Sequence, residues 1–308
     1  MHRHQALKVE VGQAGGLRWA ASLRFAFLVL LTSAVTPAQD FSGASALEFT
    51  KKIVSFGART PGSPAMVKQQ DWILLNLRRH RIDAQVDRFT ASTPKGPMAM
   101  ANLIARLPGT SGRLIVISGH YDTKILPNFV GANDGGASAG FLLEMARALA
   151  ARSRRDEIRL VWFDGEEAVV QWTETDSLYG SRRLAAKWTS DGTASRIRAV
   201  INVDMIGDRD LGILQESNSS QALRQIIWSS AQSLGFGRHF LGLQAPIEDD
   251  HMPFLRAGVP AVDLIDFDYG PNHSWWHTPQ DTIDKLSASS LEAVGRTLLE
   301  AIRRLENQ

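Results

Sequence analysis

Two adjacent carboxylates, Glu166 and Glu167, close the stretch Trp162-Phe163-Asp164-Gly165-Glu166-Glu167, directly after the apolar run 159–163. That run reads as a buried strand ending at Asp164-Gly165, and open α/β sheets place their sites at such C-terminal strand ends. Neighbouring carboxylates repel, which raises one pKa unless a cation relieves the pair. One can then bind a metal while the other keeps a proton-transfer role. Further candidate ligands follow other apolar runs. They are His120 and Asp122 in Ser118-Gly119-His120-Tyr121-Asp122, Asp134 in a glycine-rich loop, Asp204 after 199–203, and His277 in Trp275-Trp276-His277-Thr278. The chain has no cysteine, so thiolate ligands, disulfides and a cysteine nucleophile are excluded. A His and carboxylate set without sulfur suits a catalytic zinc that keeps a position open for substrate or water. Any one of these residues alone is more often a turn, cap or surface residue. Their joint occurrence at successive strand ends is what points to zinc.

The elements that must position them alternate along the chain. Helices are expected over 44–55, 66–79 and 137–151, and strands over 83–89, 101–105, 114–118, 159–163, 199–203 and 261–265. A final helix is expected to open on a capping box of Ser289 and Glu292. This pattern indicates the α/β class, with a mixed, mostly parallel central sheet flanked by helices in one domain.

At 308 residues, 44% hydrophobic and 21% charged, the chain is long enough for a sizeable core. A net charge of +2 without any basic run gives no warrant for a nucleic-acid partner, and none is expected. Arg18 and Arg24, the apolar run 25–31 and the small residues through Ala34 and Ala38 read as a signal peptide over 1–38. The expected product is a single catalytic domain, 39–308, exported to the periplasm or secreted. It would be monomeric and free of the membrane once cleaved, with an uncleaved anchor as the alternative.

The ordered series 119–122, 131–134, 164–167, Asp204 and His277 resembles the zinc aminopeptidase clan. Within that clan the chain is similar to the glutaminyl cyclases (glutaminyl-peptide cyclotransferases) over roughly 45–305. The stretches that carry this are Glu167-Ala168 through Trp172, 176–182, 247–255 and Trp276-His277-Thr278. The resemblance implies one catalytic zinc on Asp134, Glu167 and His277. Aminopeptidase relatives hold a second metal with the equivalents of His120 and Asp204, Asp134 bridging, so two zinc ions are expected if the chain is an aminopeptidase. It also implies cyclisation of the N-terminal glutamine of peptides or proteins to pyroglutamate with release of ammonia, an acyltransferase reaction. Glu166 would transfer the proton, Asp204 and Asp249 would form an acid network, and Trp172, Ile247 and Trp276 would close the glutamine pocket. The alternative is a secreted di-zinc aminopeptidase. Against it stands the segment Ala168 to Tyr179, longer than aminopeptidases of the clan usually carry. One departure is Asp263, at the position where animal cyclases have histidine; Asp204, Asp249 and Asp263 would then crowd together, and all three cannot be ionised without large cost. His251 is expected to make a structural hydrogen bond.

Overall fold

A computed structural model describes residues 40–308, together with Glu10 and Gly12. The leader expected over 1–38 lies, apart from those two positions, outside the described residues. In chain order the elements are α1 (Gly43–Val54), α2 (Pro64–Arg79), β1 (Asp83–Thr93), β2 (Gly96–Leu107), β3 (Leu114–His120), α3 (Gly136–Ala150), β4 (Glu157–Phe163) and α4 (Tyr179–Ser190). There follow β5 (Ile197–Asp204), β6 (Ile213–Glu216), α5 (Gln221–Ser233), β7 (Phe240–Ala245), α6 (Met252–Arg256), β8 (Ala261–Ile265) and α7 (Ala288–Glu306).

The main sheet has the order β1-β2-β4-β3-β5-β8. Strands β4, β3, β5 and β8 run parallel, while β2 is antiparallel to both β1 and β4. The sheet is therefore mixed and mostly parallel. Successive side chains of a strand face opposite sides, and both sides are covered here. Ile115, Ile117, Ile158, Leu160 and Trp162 pack with Ile53 of α1, Phe141 of α3 and Leu298 of α7. Leu114, Val116, Val161 and Phe163 pack with Leu184 and Trp188 of α4 and Phe254 of α6. Burial on both faces is why these strands read as unbroken apolar runs.

Several elements differ from the sequence expectation. β1 and β2 extend well beyond 83–89 and 101–105, forming a hairpin paired from Asp83↔Arg106 to Thr93↔Gly96. Cross-strand pairing carries the small and polar residues that alternation alone did not mark. The strands β6 and β7 form a separate parallel pair; they are short and partly exposed, so they give little periodic signal. Helices α4 and α5 were likewise not anticipated. The capping box at Ser289 and Glu292 is corrected. Ser287 is the N-cap of α7, with extended backbone (φ −136°, ψ 134°). Its Oγ accepts the amides of Ser289 and Ser290 at 3.1 and 3.3 Å. The helix thus starts two residues early, and Glu292 instead faces Arg296 at 3.6 Å.

Replacing an N-cap serine by alanine costs about 1 kcal/mol. Ser287→Ala is therefore expected to lower stability by about that amount in urea denaturation, whereas Glu292→Ala should stay within about 0.5 kcal/mol of wild type.

Candidate active site

The four parallel strands end along one edge. His120 closes β3 opposite Phe163, and Asp204 closes β5 opposite Ile265. The turn 164–167 leaves β4 at the same edge, with Gly165 at φ 65° where a Cβ would collide with Met100. Gly135 has φ 78°, and a Cβ there would run into the Asp122 carbonyl and the His120 ring. Only glycine lets the start of α3, and with it Asp134, come this close to His120.

Two three-residue groups result. Asp134, Glu167 and His277 form one, and His120, Asp134 and Asp204 the other, the ligand atoms of each lying within 4.8 Å of one another. In the first, His277 Nε2 is 3.2 Å from Asp134 Oδ2 and 2.9 Å from Glu167 Oε1. In the second, His120 Nε2 is 3.2 Å from Asp134 Oδ1 and 3.1 Å from Asp204 Oδ1. Zinc bonds of about 2.0–2.2 Å in a tetrahedron hold ligand atoms a little over 3 Å apart, so both groups fit that ion. Asp134 Oδ2 is buried without an aligned hydrogen-bond donor, and a carboxylate oxygen of that kind suits a cation. Asp134 is the shared carboxylate.

Residues from distant parts of the chain hold these ligands. Asp281 accepts the amides of Asn133 (2.8 Å) and Asp134 (3.1 Å) and the Tyr269 hydroxyl (2.7 Å). Asn133 in turn accepts the Gly207 amide and donates to the Met205 carbonyl. Fully buried Arg59 donates to the carbonyls of Val130 and Gly131. Asp122 joins neither group; it accepts the amides of Glu166 (3.2 Å) and Glu167 (3.4 Å). Lys124 Nζ lies 2.9 Å from Glu167 Oε2. His277 has φ 53°, a left-handed conformation that costs a non-glycine residue of order 1–3 kcal/mol. Its ring stacks on Trp276 with centroids 4.1 Å apart.

A cavity of about 390 Å3 opens over this edge. Asp134, Glu166, Glu167, Asp204, Asp249 and His277 line it together with Trp172, Ile247, Phe267 and Trp276. The sequence-derived pocket residues and acids thus share one cavity, to which Lys124 and Phe267 are added. Lys124 stands two residues after Asp122, a signal that went unused; Phe267 belongs to the long loop 266–274, which the sequence already placed beside the pocket. Asp263 does not reach the cavity lining. It lies behind Asn202, whose Nδ2 donates to Asp249 Oδ2 (2.9 Å) and Asp263 Oδ1 (3.1 Å). His251 is buried at 3.1 Å from Glu216.

Burial drives the Glu166 pKa well above the carboxylate range, reinforced by Glu167, Asp249 and Asp250 and opposed by His120. Burial likewise raises Asp204 to about 7 against the pull of His120, and raises Asp263 strongly, with Asp249 and Asp204 adding to it. Asp204 and Asp263 are thus both shifted toward the protonated form, which eases the crowding. Asp134 is the opposite case: burial pushes it up, but the His120 and His277 imidazoles beside it bring it below the usual range. Burial would lower His277, yet Asp134 and Glu167 carry it to about 9.

The model of peptidase family M28 matches residues 102–302, well over half of the chain. The glutaminyl-peptide cyclotransferase-like protein of Bos taurus is 34% identical over 78% of this chain and 70% of its own length. The glutaminyl-peptide cyclotransferase of Drosophila melanogaster is 33% identical over 74% and 72%. The crystal structure of a glutaminyl cyclase from an Acidobacteriales bacterium superposes with a TM-score of 0.85 at 40% identity, covering 88% of this chain and 97% of that one. The chain belongs to peptidase family M28 and, within it, to the glutaminyl-peptide cyclotransferases.

Zinc ligation needs a neutral imidazole, so a zinc ion held by His277 would have to displace its proton below about pH 9. Zinc affinity, measured by competition with a chromophoric chelator, is expected to weaken by about tenfold or more per pH unit on acidification below that point. An affinity independent of pH would contradict the assignment of His277 as a ligand.

Proposed function

We propose that this protein closes the N-terminal glutamine of peptides or proteins into pyroglutamate and releases ammonia. Its family membership supports the activity. The observation that carries the residue roles is the cavity, whose lining brings His277 and the carboxylates together with Trp172, Ile247 and Trp276. In the reaction the α-amine attacks its own γ-amide carbon, a C–N bond forms, the amide C–N bond breaks and ammonia leaves. The nucleophile is already tethered, so the apolar walls have only to fold the side chain into attack geometry. Asp134, Glu167 and His277 would hold one zinc ion, which supplies polarisation of the γ-carbonyl and stabilisation of the developing oxyanion. Glu166 takes the proton from the amine and returns it to the leaving nitrogen, a double role that its raised pKa suits. Asp204 and Asp249 accept hydrogen bonds from the leaving group or hold Glu166, with Asp249 itself fixed by Asn202.

A second reading, a di-zinc aminopeptidase, draws on the His120, Asp134 and Asp204 group. The segment 168–178 argues against it. Asp176 gathers the amides of Val169, Val170 and Gln171 at 2.9 Å each, fixing a loop that carries Trp172 to the cavity wall. We further propose that residues 1–38 are an export leader, that 39–308 is the single catalytic domain of a monomer, and that it acts in the periplasm or outside the cell. No helix among the described residues is long and apolar enough to cross a membrane.

Purified zinc-loaded protein given a Gln-initiated peptide is expected to release one ammonia without shortening the peptide, as read by mass spectrometry. A peptide with a blocked α-amine should stay unchanged. Glu166→Gln should lower kcat by about 10²–10⁴-fold while keeping its zinc. Release of the first residue would replace this reading with the aminopeptidase.

A further inference from the structure

Glu216 ends β6, is fully buried and belongs to neither metal-binding group. Its Oε1 accepts the amides of Asn218 (2.8 Å) and Ile247 (3.1 Å). Its Oε2 accepts the amide (2.6 Å) and hydroxyl (2.7 Å) of Ser219 and lies 3.1 Å from His251 Nε2. Burial alone would push this carboxylate up, but the donors around it hold it down to about 2. It is a carboxylate closed off from the surface, and its partners come from two segments some thirty residues apart in sequence.

One of those segments borders the site. Ile247 is a wall of the cavity, and Asp249, two residues on, lines it as well. His251 stands directly before α6, so the 246–251 segment is tied to Glu216 at both ends while Asn202 holds Asp249 from the sheet. The other segment reaches the acid network too, because Ser219 Oγ accepts the Asp263 amide at 3.0 Å. A carboxylate suits this place because every partner is a donor; an amide in the same position would turn its own NH2 against one of them.

We propose that Glu216 is a positioning residue for substrate binding: through the Ile247 amide and His251 it sets the 246–251 segment so that Ile247 closes the pocket and Asp249 faces it. This rests on the glutaminyl cyclase reading and assigns Glu216 and His251 to specificity for the glutamine side chain rather than to bond making. A residue that only stabilised the fold would lower the amount of active protein and leave the KM of what remains unchanged.

The test is steady-state kinetics on a Gln-initiated peptide for wild type, Glu216→Gln, Glu216→Ala, His251→Gln and His251→Leu, with zinc content per folded chain measured on each sample. Failure of wild type to cyclise the peptide would sink the functional reading instead of this one. With wild type active, Glu216→Gln is expected to raise KM by about tenfold with a smaller fall in kcat and unchanged zinc. His251→Gln, whose amide can still donate to Glu216, should keep KM within about threefold of wild type, and His251→Leu should follow Glu216→Gln. If Glu216→Ala fails to fold, the Glu216→Gln and His251→Leu pair decides. Unchanged KM in both, with rate loss tracking only the folded fraction, would overturn the proposal.

Discussion

The structure is organised around a concentration of buried carboxylates at one edge of a parallel sheet. Asp122, Asp134, Asp164, Glu166, Glu167, Asp204, Asp249, Asp250 and Asp263 are all buried there. Like charges in a poorly solvated interior cannot all be ionised, and leaving one partner of a buried pair without the other costs about 3–5 kcal/mol. The fold meets this constraint in two ways. Fixed cations are brought in: Lys124 against Glu167, the two histidines against Asp134, and buried Arg59 nearby, its own pKa lowered by burial to about 10 despite Asp281, Asp122 and Asp134. Burial pushes other acids of the cluster toward the protonated form, the direction in which Asp164, Glu166, Asp250 and Asp263 all shift.

That division separates roles within one cluster. Asp134 stays ionised because both histidines point at it, which is what a metal ligand requires. Glu166 shares the same edge, but burial and its acidic neighbours outweigh the one histidine that faces it. His120 Nδ1 is 3.9 Å away, and the Glu166 proton is accordingly held more tightly. The two neighbouring glutamates that begin as equivalent in sequence therefore have different surroundings, Glu167 against Lys124 and His277 and Glu166 among acids, which is the difference that the proposed division into metal ligand and proton carrier requires. A divalent ion on Asp134, Glu167 and His277 would strengthen the contrast by lowering the affinity of its own ligands for protons.

The residues at the strand ends were legible in the sequence because a parallel strand buried on both faces announces itself as an apolar run, and the residue that follows must lie at the sheet edge. His120, Glu167 and Asp204 are found from that rule alone. Their supports are not. Asp281 holds the Asp134 loop from 147 residues away, Asn202 bridges an acid of β8 and one of the segment before α6, and Glu216 ends a four-residue strand with no periodic signal. Such contacts depend on tertiary neighbours that a local pattern does not contain. Asp263 shows the limit from the other side: the crowding was anticipated, but that Asn202 would stand between Asp249 and Asp263 follows only from the pairing of β5 with β8. The start of α7 was misplaced for a smaller reason, since Ser287, Ser289 and Ser290 compete for the cap and the backbone of Ser287 decides.

The central claim is that one metal on Asp134, Glu167 and His277 is enough for the reaction, with His120 and Asp204 left as parts of the acid network. It is tested most directly by titrating the metal-free protein with zinc while following pyroglutamate formation from a Gln-initiated peptide. The account expects activity to rise linearly and break at one equivalent per chain. Activity that stays negligible through the first equivalent and appears with the second would contradict it.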